Sequence, residues 1–200
     1  EGQTAATSTW EVFHPPLLKI TLVGILLATI PLVGGWGSAN WMVPWAREAG
    51  DAATPGYGAE LKAMVQQSRS FAGLVGSLLG GWIASFAGRR RTYFWASLLC
   101  LISAQYTFWF LVPTDHWFLW GVGAVGFFSG IYFGWLPLFL PELFPTRVRS
   151  TGAGVSFNFG RILTAVTVFA TGMLTELFGG DYAKMGRATS LCFALGLLII

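Results

Sequence analysis

Charge is scarce in this chain. Only 10% of its 200 residues are Asp, Glu, Lys or Arg, against about 25% in soluble domains. Hydrophobic residues supply 54%, more than a soluble fold of this length hides, so a water-soluble domain is excluded. Cysteine is nearly missing: Cys100 and Cys192 each sit inside an apolar run with no partner at metal spacing. A disulfide scaffold is excluded and buried, inert thiols are expected. The two histidines, His14 and His116, stand alone near the edges of apolar runs, so neither a metal site nor a cofactor is expected. No phosphate-cradling glycine loop, nucleophile elbow or Ser/His/Asp set can be read, which argues against an ATP-driven pump or any enzyme. The net charge of +3 is too small and too concentrated in turns to indicate nucleic acid. Acidic residues are missing from the interior of every long apolar run, where Glu142 and Glu176 mark only the ends.

What the chain has in abundance is apolar length. Runs at 17–45, 65–87, 93–112, 117–140 and 152–177, with another from about 187, are or approach the ~20 residues of a membrane helix. The stretch 46–64 is polar and carries Gly50, Pro55, Gly56 and Gly58, and is expected to be an external loop or short surface helix. Pro113-Thr114-Asp115-His116 reads as a tight external turn, and Gly179-Gly180-Asp181 as a break after the fifth run. Residues 1–16 are assigned to a cytoplasmic linker and 17–200 to the membrane domain. Residues 1–9 have neither the basic nor the apolar region of a signal peptide. With no initiator Met, and a last run that stops at Ile200, the chain is expected to be a piece of a longer protein with its last helix truncated.

The first run, about 29 residues, would reach ~43 Å, well past a ~30 Å bilayer core. It contains Pro31, Gly34-Gly35-Trp36-Gly37 and Pro44. It is expected to kink or unwind near 34–37, as cavity-lining helices of transporters do; a tilted helix with a non-spanning outer turn is the alternative. Gly73, Gly76, Gly80 and Gly81 give the second run a small-residue face suited to close packing in lipid. Of the ten tryptophans, Trp10, Trp45, Trp82, Trp117 and Trp120 fall near run ends, as an interfacial belt would require.

Two arginine-bearing turns orient the chain. One is Gly81-Trp82-Ile83-Ala84-Ser85-Phe86-Ala87-Gly88-Arg89-Arg90-Arg91; the other is Pro141-Glu142-Leu143-Phe144-Pro145-Thr146-Arg147-Val148-Arg149. Two crossings separate them, so both face one side, which the positive-inside rule makes the cytoplasm. Arg47, Lys62, Arg69, Lys184 and Arg187 then fall outside, but scattered rather than packed against the runs.

These turns carry a resemblance to the major facilitator superfamily. The Gly81-x3-Ser85-x2-Gly88-Arg89-Arg90 turn resembles its G-x3-D-x2-G-R-R loop. The Pro-Glu-Leu-Phe-Pro-Thr-Arg-Val-Arg run is similar to the loop after the tenth helix of sugar porters and metabolite:proton symporters. The segment from Gly152 to Arg161 looks closer to the symporters, including the aromatic-acid type. The resemblance implies an all-α membrane protein: the six-helix C-terminal half of a twelve-helix bundle, working by alternating access with a missing N-terminal half. It implies proton-coupled transport of a small organic anion, or a sugar-type facilitator of neutral solutes. A non-transporting receptor or scaffold on the same helices is the rival from another class. Ser85 departs from the family's acidic residue, so the carboxylate that would pair across the half-interface is absent and any gate contact must use the arginines differently.

Candidate residues follow. Arg161 lies ~14 Å along the fifth helix if that helix starts near Gly152, where an arginine must face a cavity or the bundle interior. It would attract an anionic substrate, with Asn158 one turn earlier, or else pair with Glu142 or a partner in the missing half, or snorkel inward. Asn40, Trp36 and Trp41 on the first run, and Tyr132 and Trp135 on the fourth, are the further substrate-binding candidates. Gly81, Gly88, Arg89, Arg90, Glu142, Arg147 and Arg149 are the gating candidates. Glu142 is expected to be reached by Arg147 and Arg149 folding back at Pro145, with Arg89 as a further partner, to latch the cytoplasmic side.

Overall fold

The computed structural model describes residues 9–199, and every regular element among them is helical. A 3-10 helix at Thr9–Phe13 precedes α1 (Leu17–Ala53), α2 (Tyr57–Ala87), α3 (Arg89–Phe110) and α4 (His116–Phe139). Two short 3-10 turns lead into α5 (Arg149–Phe169), α6 (Thr171–Leu177), α7 (Tyr182–Ser190) and α8 (Cys192–Leu198). Turn chemistry places the breaks. Gly56, Gly88, Gly179 and Gly180 all have positive φ, and the Asp181 carboxylate accepts from the Lys184 backbone N–H to cap α7.

Among the described residues, three helices are long and apolar enough to cross a membrane: Leu17–Ala53, Tyr57–Ala87 and His116–Leu143. The pair Thr146–Phe169 and Thr171–Leu177, bent by 45°, makes a fourth if taken as one span. At 22 residues α3 is long enough, but Thr92, Ser97, Ser103, Gln105 and Thr107 dilute its apolar character. Its hydroxyls turn inward: Thr107 donates to the Ser103 carbonyl (2.8 Å) and Ser103 to that of Leu99 (2.6 Å). The region expected as one sixth span is two short helices that meet at Leu191.

The expected unwinding of the first run at 34–37 and the expected loop at 46–64 are both overturned. The helix runs unbroken from Leu17 to Ala53, through Pro31, 34–37 and Pro44. Neighbours support it on both sides of the glycine stretch: Gly34 lies under the Phe193 ring, the Ser38 hydroxyl donates to the Gly34 carbonyl, and Ala39, Trp41 and Met42 are buried. Nor is 46–64 a loop or a separate short surface helix: it is the end of α1 and the start of α2, with only 54–56 outside them. The ends of the two helices meet closely, with Gly50 against Gly58 and the Gly58 N–H donating to Asp51 Oδ1 (3.0 Å). Leu61 and Val65 are buried with Trp41 and Ala46 in one apolar cluster. With 37 residues, α1 extends beyond a ~30 Å core by several turns.

The helices alternate in direction between two ends. One end gathers the arginine turns; the other gathers 54–56, 112–115 and 178–181. The closest pairing joins α2 and α4 backbone to backbone. A Cβ added at Gly76, Gly126, Gly130 or Gly134 would collide with a carbonyl of the facing helix, and one at Gly80 would lie 2.5 Å from the Ile131 carbonyl oxygen. The expected glycine face of α2 thus meets a matching one on α4, which sequence reading had not picked out. α5 shows the same logic on α1: its buried residues, Gly152, Ser156, Gly160 and Thr164, recur every fourth position. Gly160 sits on Ala28 and Leu32, and Ser156 on Gly24. The rest of α5 is largely exposed, including Ile162, Val166 and Phe169.

Candidate functional site

At the arginine end, Gly88 (φ +81°) turns the chain sharply from α2 into α3 and delivers Arg89 to Glu142, just beyond α4. Arg89 Nη2 and Glu142 Oε1 form an ion pair with both side chains about half exposed. The Arg89 guanidinium also lies 5.7 Å from the centre of the Phe139 ring. Gly81, Ser85, Arg89, Trp135 and Glu142 line a crevice of about 140 Å³. The Ser85 hydroxyl donates within its own helix, to the Gly81 carbonyl (2.9 Å). With serine at position 85, the carboxylate that Arg89 meets is that of Glu142.

Arg147 does not fold back on Glu142. It pairs with Glu11 of the N-terminal 3-10 helix. The 3-10 turn at Thr146–Val148 explains the difference: Phe144 and Val148 are buried with Val12 and Leu17, which leaves Arg147 on the outer side. Arg149, the first residue of α5, and Arg90 are exposed. Glu11 was not foreseen as a participant, because 1–16 read only as a linker. Its segment is docked, with Val12 fully buried and its carbonyl accepting from Thr21 Oγ1 (2.7 Å).

The substrate-binding candidates separate into three places. Trp36, Asn40 and Trp41 line a mostly apolar groove of about 600 Å³. Thr167 and Thr171, on either side of the α5–α6 bend, and Thr189 of α7 complete its polar lining. This volume suits a small organic molecule. The buried Trp41 indole N–H has no acceptor among the described residues, and its ring lies 6.3 Å from that of Tyr182.

Tyr132 and Trp135 lie elsewhere, in the core between α3 and α4. The Tyr132 hydroxyl is bonded to Ser97 Oγ, and the Tyr93 ring packs edge-on to both rings. Trp135 is 3% exposed and borders the Arg89–Glu142 crevice rather than the groove. The structure does not bring this pair to Trp36, Asn40 and Trp41.

Arg161 and Asn158 occupy a third place, the exposed side of α5. Asn158 Nδ2 donates to the Gly154 carbonyl (2.8 Å). Arg161 belongs to none of the ion pairs among the described residues.

One residue at this level was missed. Arg69 of α2, counted only as an outer charge, donates to Asn40 Oδ1 (3.3 Å) and stands 5.8 Å from the centre of the Trp36 ring. The available signal was an arginine just inside an apolar run; its neighbours come from another helix. No cluster of three or more metal-ligating side chains occurs among the described residues.

Comparison with known proteins fits this architecture. The family model described as sugar (and other) transporter matches residues 70–200. The cis,cis-muconate transport protein of Acinetobacter baylyi is 29% identical over 129 residues, 64% of this chain and 31% of that protein. The inner membrane metabolite transport protein YhjE of Escherichia coli is 33% identical over 93 residues, 44% of this chain and 20% of the relative. A probable 4-methylmuconolactone transporter of Cupriavidus pinatubonensis is 40% identical over 62 residues, 31% of this chain and 13% of its own length. The chain thus spans about a third or less of the relatives it matches. All three are transport proteins rather than enzymes. With more than half its length matched by that model and several helices able to cross a bilayer, the chain belongs to the sugar (and other) transporter family, of the major facilitator type, and is an integral, multi-pass membrane protein.

Proposed function

We propose that this chain is the six-helix C-terminal half of a twelve-helix carrier, and that the complete carrier moves a small organic anion by alternating access coupled to protons. Arg161 carries the reading. It lies 12 residues after Arg149, ~18 Å along α5, exposed and outside every ion pair among the described residues. A cation at that depth costs at least ~2.5–3.5 kcal/mol unless water or an anion meets it. The names of the relatives, a muconate and a muconolactone transporter, support an organic acid as that anion. Asn158 extends the same exposed side, and the groove at Trp36, Asn40 and Trp41 offers aromatic walls for a planar substrate.

Alternating access needs contacts that break and re-form. Arg89–Glu142 and Arg147–Glu11 are partly exposed charge pairs at one end, each worth about 0–1 kcal/mol, weak enough to exchange during a cycle. Gly81, Gly88, Arg90 and Arg149 shape the same surface, which we place in the cytoplasm. The carboxylates of the described chain lie at helix ends, in turns or in the N-terminal segment, so the proton-titrating group would come from the rest of the carrier.

The test is uptake by the full-length protein in proteoliposomes under an imposed pH gradient, with cis,cis-muconate and glucose as probes. Accumulation of muconate that collapses with the gradient supports the reading. Glucose uptake indifferent to the gradient would replace it with a sugar-type facilitator, and no flux of either would favour a receptor.

A further inference from the structure

We infer that Arg69 is an anion-capture residue farther from the arginine turns than Arg161, recruiting the substrate before it reaches the level of Arg161; this rests on the transport reading above. The two cations stand at different depths. Arg69 is 18 residues before Ala87, ~27 Å from the arginine end, whereas Arg161 is ~18 Å from it along α5.

Three features set Arg69 apart from a charge that merely marks topology. First, it is half-buried within a helix able to cross the membrane, and it belongs to none of the ion pairs among the described residues. Its partners are a neutral amide, Asn40, and an aromatic ring, Trp36. Both orient a guanidinium without cancelling its charge, so attraction for an anion is retained. Second, both partners line the groove of about 600 Å³, so the cation stands directly behind two of its wall residues. Third, the backbone beneath it is fixed. The Arg69 carbonyl is wedged against Gly126 of α4, and the adjacent Ser68 hydroxyl donates to the Leu119 carbonyl (2.8 Å). A cation held from both sides is preorganised for a carboxylate, and its planar fork matches that group's two oxygens.

The experiment compares Arg69→Gln, Arg69→Lys and Asn40→Leu in the full-length protein, measuring initial uptake of cis,cis-muconate at low and physiological ionic strength. Gln keeps an amide donor for Asn40 and removes the charge. Capture predicts that Arg69→Gln raises KM at least tenfold with Vmax within twofold, and that Arg69→Lys stays within threefold of wild type. It also predicts that wild-type KM rises with salt more steeply than that of Arg69→Gln, because screening acts on the charge and only Arg161 remains in the variant. Asn40→Leu, which leaves the charge but loosens it, should raise KM about threefold, and decides the matter if Arg69→Gln fails to reach the membrane. A purely structural Arg69 would instead lower Vmax or expression with KM unchanged, and that result overturns the inference. Wild-type protein that moves no organic acid defeats the transport reading and this inference together; wild-type uptake with unaltered variant KM values defeats this inference alone.

Discussion

Arg89, the first residue of α3, is ion-paired with Glu142, just past the end of α4. That contact joins the two basic turns side chain to side chain, across 53 residues of sequence. Ser85, by contrast, turns its hydroxyl to the Gly81 carbonyl of its own helix. If the pair is part of the gate, Glu142→Gln and Arg89→Gln should each lower uptake several-fold. The reversed pair Arg89→Glu with Glu142→Arg should recover a measurable share. A reversed pair no better than the worse single variant would show that the contact does not matter for transport.

Arg161→Ala in the full-length protein should abolish or severely reduce organic-acid uptake at normal expression. Asn158→Ala should have a milder effect, because its amide already bonds within its own helix. Near-normal uptake by Arg161→Ala would remove the residue that carries the proposed function.

The α2–α4 contact has the least tolerance for added atoms. Gly130→Val places side-chain atoms where the Gly73 carbonyl lies, and overpacking of this kind typically costs about 1–3 kcal/mol. Thermal unfolding in detergent should show a clear drop in Tm. Gly154, with nothing within 4 Å of an added Cβ, is the control: Gly154→Ala should leave Tm unchanged or raise it, since Ala exceeds Gly by about 0.5–1 kcal/mol inside a helix.

Asp181 gives a pH dependence with a definite sign. Its carboxyl is held below the usual value, chiefly because it accepts from the Lys184 backbone N–H. The folded state therefore binds this proton less readily than the unfolded chain. The stabilisation is complete above the ordinary Asp value of about 3.9 and fades as pH falls through the lowered native value. Asp181→Ala should lose about 0.5–2 kcal/mol of stability near neutrality, as lost helix caps do, and its deficit against wild type should shrink below about pH 3.9. A deficit independent of pH down to 2 would rule out this carboxylate as the cap that matters.

The common end of the arginine turns can be tested directly. Arg90→Cys and Arg149→Cys in an otherwise cysteine-free protein should react with an impermeant thiol reagent from the same side of the membrane. Reaction from opposite sides would break the topology on which the proposed function depends.

Apolar length, arginine density and glycine spacing made an all-α membrane transporter legible before any coordinates, because a bilayer demands long internally hydrogen-bonded apolar segments and lipid-buried helices pack through small residues. Local features also marked Gly88, the chain reversals and the crowded face of α2. What local reading could not decide was which side chains meet. An unbroken α1 depended on the rings and helices supporting it on both sides. The partners of Glu142, Arg147 and Arg69 came from segments 53, 136 and 29 residues away. Tyr132 and Trp135 were separated from Trp36 and Asn40 by how α3 and α4 press together, because composition records what must be shielded from water, whereas only the packing of distant helices determines which groups share a cavity.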